Sequence, residues 1–310
     1  MYKYVIKRLL ITIPILVGVS FIIFSIMALT PGDPGRLILG DNAKQEAIDQ
    51  LNEELGFNKP FFSRYLSFLS NAILKFDFGT SYRSQKPVFE EIWLRFPNTL
   101  ILASSAVVFS SLLGISLGIL SAVKQYSLVD NVLTVMAMFF AAIPIFWFGM
   151  MLIYVFSLVL GWLPTSGIGS WKSFLLPTVA LAFSGAGSLL RLTRSTMLET
   201  IRQDYIRTAK AKGAPQRLVI WKHALKNALL PVVTVLGMNF GHLLGGAVVT
   251  ETVFSIPGLG THVISAIRWK DIPVVMATTL FLAALFCVIM LCVDILYAFI
   301  DPRIRAKYTR

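Results

Sequence analysis

Three histidines and two cysteines are the side chains of this sequence best suited to metal or nucleophilic chemistry, and their spacing gives them little to do together. A metal site needs ligands that converge, for instance at i and i+4 of one helix. His223, His242 and His262 fall in three different segments, and Cys287 and Cys292 are five residues apart, off a common helical face. The cysteines read as apolar filler, and no metal ligand set is expected. There is no H-E-x-x-H pair and no persuasive Ser/His/Asp arrangement. The phosphate-cradling G-x-x-x-x-G-K-[ST] loop is also missing, so ATP and Mg have no site in this chain. Chemistry inside the apolar runs is equally sparse. Asn239 and His242 are polar residues in one such run, and a residue of that kind faces protein or water. For His242, pathway lining, an interhelical hydrogen bond and metal handling all remain open. Gly237, Gly241 and Gly245 repeat at every fourth position, a stripe that allows close helix approach. Gly114 and Gly118, and Ser184, Gly185, Gly187 and Ser188, repeat the small-residue theme in two other runs, with the serines free to bond their own backbone. Asp294, near the inner end of the sixth run, is suited to pairing with a base, to a contact with a partner permease, or to relaying a proton.

The elements that must position these residues follow from composition. With 56% apolar and only 14% charged residues and a mean hydropathy of +0.73, the chain is far too oily for a soluble enzyme or a disordered segment. A bilayer core needs about 20 apolar residues per helix. Charge-free runs occur at Leu9 to Leu29, Thr99 to Val123, Asn131 to about Val159, a short Pro177 to Leu190, Ala228 to Thr250 and Ile272 to Val293. The first is too long for a signal-peptide core and no A-x-A site follows it, so it reads as a retained span. The expected fold is an all-α polytopic membrane protein with six transmembrane helices and both termini on one side.

The net charge of +12 admits nucleic acid, anionic lipid or topology as its cause. Placing the N-terminus in the cytoplasm puts seventeen basic residues inside and eleven outside, where eleven acids balance them. The surplus therefore follows the positive-inside rule and orients the chain rather than binding nucleic acid.

Two polar segments stand outside the spans. Residues 31–98 carry short amphipathic helices, Lys44 to Leu55, Phe61 to Phe76 and Val88 to Phe96, fitting either a packed cap or a docking platform. Residues 191–227 carry nine basic residues and read as two helices, Thr196 to Lys212 and Pro215 to Leu230, turned at Gly213. Such a hairpin is a rigid lever for force from a cytoplasmic partner, or a basic loop held to anionic lipid. Residues 1–30 form the first span with its tail, 99–300 the core of helices 2 to 6, and 301–310 a basic cytoplasmic tail.

Within this hairpin, Asp204-Tyr205-Ile206-Arg207-Thr208-Ala209-Lys210-Ala211-Lys212-Gly213 and His223-Ala224-Leu225-Lys226-Asn227-Ala228-Leu229-Leu230-Pro231 resemble the "EAA" loop of binding-protein-dependent ABC importer permeases. In the wider family Glu-Ala-Ala precedes an invariant glycine; Arg207, Thr208 and Ala209 occupy those positions before Gly213, as in the peptide-type subfamily. Pro31-Gly32-Asp33-Pro34, Leu55-Gly56-Phe57, Phe78-Gly79-Thr80-Ser81, Pro144-Ile145-Phe146-Trp147, Leu163-Pro164-Thr165-Ser166-Gly167, Glu251 to Gly260 and Asp301 to Arg305 extend the resemblance, in order, over nearly the whole chain. They are similar to the first of the two permeases of dipeptide, oligopeptide and nickel importers.

The resemblance implies a type I ABC importer permease fold in the cell (plasma or inner) membrane, non-catalytic by itself. It implies a second homologous permease, two cytoplasmic ATP-binding subunits that hold ATP and Mg, an extracytoplasmic solute-binding protein, and contact with membrane lipid. Asp204 to Gly213 would dock on an ATPase, with Tyr205 and Ile206 as apolar anchors and Arg207, Lys210 and Lys212 as charges. Peptide is the expected solute, with nickel, a metal chelate or glutathione as alternatives. An autonomous ion-coupled transporter is the reading from a different class.

Overall fold

The computed structural model describes residues 2–30, 33–40 and 42–300. Pro31 and Gly32 of the first matching motif, and the Asp301 to Arg305 motif with the 301–310 tail, lie outside the described residues. Among the described residues the chain is helical, with one isolated bridge between Thr80 and Pro87. It forms two compact units, one from Val5–Thr99 and Pro257–Cys287, the other centred on Leu100–Ile256. Residues 257–287 thus group with the N-terminal part.

The reason is a shared apolar core. In the first unit, α1 (Tyr2–Leu29) is followed by α2 (Pro34–Leu39), α3 (Gln45–Glu54), α4 (Phe61–Leu74) and the start of α5 (Val88–Val123). Phe24 and Met27 of α1, Tyr65 of α4, and Val88 and Ile92 of α5 are buried together with Leu259 of α13 (Leu259–Arg268) and Val275 of α14 (Ile272–Ile300). Tyr65 ties α4 to α1 through a 2.9 Å hydrogen bond between its hydroxyl and that of Ser20. Leu9, Leu10, Ile13, Ile22 and Ile26 stay exposed on α1, as lipid-facing positions would. The two outer helices expected at 44–55 and 61–76 are present as α3 and α4. The third is not separate: Val88–Val123 is one 36-residue helix, about 54 Å long at 1.5 Å per residue.

In the second unit, α5 is followed by α6 (Leu128–Ala142), α7 (Ile145–Leu152, prolonged as a π-helix over Ile153–Val159) and α8 (Leu175–Ile201). After α8 come α9 (Asp204–Ala211), the short α10 (Gln216–Leu218) with a π-helical stretch at Val219–Ala224, α11 (Leu225–Gly246) and α12 (Val248–Val253). Among the described residues five helices are long and apolar enough to cross a membrane, and α6 with the α7 segment makes a sixth span bent by 98°. That bend corrects the straight third span. Pro144 forces the residue before it out of helical geometry, and Ile143 sits at φ −72°, ψ 127°.

Small residues set the spacing of the spans. A Cβ on Gly114 or Gly118 of α5 would come within 2.6 Å of Leu189 or Thr193 of α8, and one on Gly187 within 2.6 Å of the Ala137 carbonyl of α6. Backbones this close gain the dispersion contacts that hold apolar helices together in lipid, where the hydrophobic effect does not.

Candidate functional site

The fourth span does not stop where its charge-free run stops. α8 runs eleven residues past Leu190, to Ile201, and so takes in Arg191, Arg194 and Glu199. The first arm of the expected hairpin, Thr196 to Lys212, is accordingly not one helix. It breaks at Arg202 and Gln203, where Gln203 is extended at φ −69°, ψ 149°, and α9 starts afresh at Asp204.

An eight-residue helix is marginal alone, because isolated helices shorter than about 12 residues do not repay nucleation. α9 is held by its own side chains. Ile206 is fully buried with Ile119 and Ala122 of α5, Met197 of α8, Val219 and Ala224, and Ala209 packs on the same cluster one turn on. Ile206 is thus an anchor to its own chain and cannot be the apolar anchor on a partner that the sequence suggests. Tyr205 is half exposed, and its hydroxyl accepts a 2.7 Å hydrogen bond from Asn227 Nδ2 across the hairpin.

The helix ends in a Schellman motif. Ala214 N–H donates to the Ala209 carbonyl and Gly213 N–H to that of Lys210, with Gly213 at φ +80°. Pro215 then starts the return arm, whose π-helical stretch leads into α11. The remaining residues of the candidate set, Asp204, Arg207, Thr208, Lys210, Ala211, Lys212 and Gly213, are all exposed. Asp204 and Arg207 approach to 3.8 Å, but both are so exposed that the pair contributes little. The result is a short ridge, fixed on its inner side by Ile206 and Ala209 and presenting three cations outward.

A second arrangement, absent from the sequence reading, braces the helix leading into this ridge. Asp130 on α6 is buried, and both its oxygens are engaged by Arg194 of α8, from Nε at 2.7 Å and Nη2 at 2.8 Å. Ser121 of α5 donates to the same carboxylate at 2.5 Å and the Tyr126 N–H at 2.9 Å. One carboxylate thereby joins α5, the turn after it, α6, and α8 two turns before its end. The signal was the S-x-x-D start at Ser127 to Asp130, whose serine caps α6.

The membrane candidates do not converge. Gly237 abuts Val293 of α14, Gly241 is buried, and a Cβ on Gly245 would stand in open space. His242 is exposed and Asn239 half-buried; neither makes a side-chain hydrogen bond among the described residues. Ser184 lines a small pocket with Phe140, Phe148 and Phe183, Ser188 is exposed, and Asp294 sits part-buried on α14. Cys287 and Cys292 are free thiols.

Residues 114–306 match the family described as binding-protein-dependent transport system inner membrane component, and residues 1–103 match its N-terminal companion. The dipeptide transport system permease protein DppB of Alkalihalophilus pseudofirmus is 41% identical over 98% of this chain and all of its own length. The glutathione transport system permease protein GsiC of Escherichia coli K12 is 42% identical over 99% of this chain and all of its own length. Among solved structures, an inward-facing form of the MetNI methionine ABC transporter covers 69% of this chain and 98% of its own at a TM-score of 0.57 and 18% identity. An amino acid ABC transporter crystallised with histidines gives 0.51 over 76% of this chain and 98% of its own at 16% identity. At such identities these two speak for the fold alone, but the whole-length relatives and the two family matches go further: the chain belongs to the binding-protein-dependent inner membrane components and is a multi-pass ABC importer permease of the peptide family.

Proposed function

We propose that this chain is one of two permease subunits lining the route of a peptide through the inner membrane, and that α9 with the Gly213 turn is where a cytoplasmic ATPase drives it. The observation that carries this reading is the construction of α9. A helix too short to stand alone is locked by Ile206 and Ala209 onto the ends of α5 and α8, so a push on its exposed face moves those spans. Its outward cations, Arg207, Lys210 and Lys212, suit an acidic groove on the ATPase. The absence of a phosphate-binding loop from the sequence fits a non-catalytic subunit whose motor comes from another chain. Both termini are then cytoplasmic, because that orientation puts the basic surplus inside.

Dipeptides are the proposed solute, from the DppB relative, with glutathione as the competing one from the GsiC relative; glutathione is itself a small peptide with free carboxylates. An external binding protein would deliver either. The test is the double reversal Arg207→Glu/Lys210→Glu in a complex reconstituted with the second permease, the ATPases and the binding protein. Loss of ATPase co-purification and of ATP-driven dipeptide uptake is expected, with the permease pair still assembled. Normal uptake by this variant would refute the assignment of α9.

A further inference from the structure

The first unit holds a cleft that the coupling reading does not use. It encloses about 440 Å³, a size suited to a small ligand, and is lined by Arg83, Ser84, Glu91, Arg95, Thr261 and Trp269 among others. Three features make it a prepared site. Arg83 carries its guanidinium carbon over the Trp269 ring, 4.1 Å from the centroid, and that guanidinium has no hydrogen-bond acceptor among the described residues. Its backbone is fixed by buried Asp271, which accepts from Ser81 Oγ at 2.6 Å, from Tyr82 N–H at 3.1 Å and from Arg83 N–H at 3.3 Å. The charge of Asp271 is therefore spent on the turn that carries Arg83.

On the same cleft, Arg95 donates once, to the Glu91 carbonyl at 3.1 Å, and stands 3.8 Å from the Glu91 carboxylate, too far for a hydrogen bond. The buried imidazole of His262 lies 3.2 Å from that carboxylate but off the line of a hydrogen bond. Most of the guanidinium donors of Arg83 and Arg95 thus remain for a ligand, beside the hydroxyl of Ser84 and an indole wall.

Two arginine forks with an adjoining serine hydroxyl are a carboxylate receptor, and a neighbouring indole favours a carboxylate attached to an apolar body. We propose that this cleft binds the C-terminal carboxylate of the transported peptide on the external side of the membrane, before the solute enters the route between the permeases. The assignment rests on the peptide reading and on the orientation given above, and it adds a solute subsite within the permease itself.

Trp269 is the reporter. The wild-type complex in lipid nanodiscs, without binding protein, is titrated with a dialanine dipeptide and with its C-terminal amide, and indole fluorescence is recorded against a Trp269→Phe complex. The dipeptide is expected to change the Trp269 signal. The amide, Arg83→Gln and Arg95→Gln should each weaken that response about tenfold or more, the scale of a lost charge-assisted hydrogen bond. Arg83→Lys, which keeps the charge but loses the fork, should fall between.

Equal responses to dipeptide and amide, or unchanged responses in both glutamine variants, would overturn the proposal. So would variants that bind free dipeptide normally but lose stimulation by the binding protein, because the cleft would then receive an acidic side chain of that protein. Uptake by the same wild-type preparation separates the two readings. No fluorescence response with dipeptide uptake intact removes only the subsite; no response with uptake also absent removes the peptide reading with it.

Discussion

Replacing Asp130 by asparagine keeps its volume and removes its charge at the point where four elements meet. The carboxylate is 2% exposed and accepts from Arg194 twice, Ser121 and Tyr126 N–H. An asparagine offers one acceptor and turns an NH2 toward donors, leaving Arg194, only 26% exposed, without its counter-charge. Breaking a buried pair by removing one partner costs about 3–5 kcal/mol, through the charge left behind. Arg194→Met strands the carboxylate and should cost a comparable amount. The double variant Asp130→Asn/Arg194→Met strands neither charge, so its penalty should fall below the sum of the singles by about 2 kcal/mol or more. The assay is thermal unfolding of the purified permease complex. At about 2–3 °C per kcal/mol for a chain of this size, each single variant should melt roughly 6–15 °C lower. Arg194→Lys should also be destabilised, since an ammonium cannot reproduce the two-pronged contact. Because α8 runs directly toward α9, the same variants should hydrolyse ATP with reduced solute movement per turnover. Single variants melting within 1 °C of wild type, or strictly additive penalties, would refute the brace.

Three further outcomes follow from the geometry. Ile206→Ala empties a fully buried site, costs about 2–5 kcal/mol, and should leave α9 loose enough to abolish coupled uptake while the spans still insert. Protease sensitivity near residues 203–213 measures it, and an unchanged cleavage pattern would contradict the anchoring role. Gly213→Ala meets no atom within 4 Å but must hold φ +80°, at about 1–2 kcal/mol; Gly213→Asn, which tolerates that region, should keep more of the ATP-driven uptake. Equal uptake by the two would show that the turn's conformation does not matter. Burial, then the Arg95 charge, push the His262 imidazole down to about 4 from 6.5, with Glu91 opposing them. The unfolded chain then binds a proton that the folded chain refuses as pH falls from 6.5 toward 4. Stability contributed by neutral His262 should be complete above pH 6.5 and lost across that window, and the melting curve of His262→Gln should lose that slope.

The spans were legible because lipid leaves no choice: a run of about 20 residues without charge has no better place. Their ends were less so. Charge ended the expected fourth span at Leu190, yet Arg194 finds Asp130 and the helix continues to Ile201. Pro144 marked the bend in the third span locally, but a charge-free run says nothing about direction. The break at Arg202 and Gln203 lies among residues that individually favour helix; it exists because Ile206 gains more by entering the core than the chain loses by one interrupted turn. The proposed coupling segment was marked by its motif and Gly213, whereas the inward face of Ile206 depends on contacts with α5 and α8 that no local pattern encodes. The Arg83–Trp269 cleft was invisible for a related reason, since Arg83 and Trp269 are brought together by Asp271 holding a turn nearly 190 residues away.

The claim that this permease is driven by ATP through partner subunits is tested most directly by dipeptide uptake into proteoliposomes holding the complete complex. The account predicts uptake that requires ATP, both ATPase subunits and the binding protein, and that is indifferent to collapse of proton and sodium gradients. Uptake that persists without the ATPases and follows an ion gradient would contradict it.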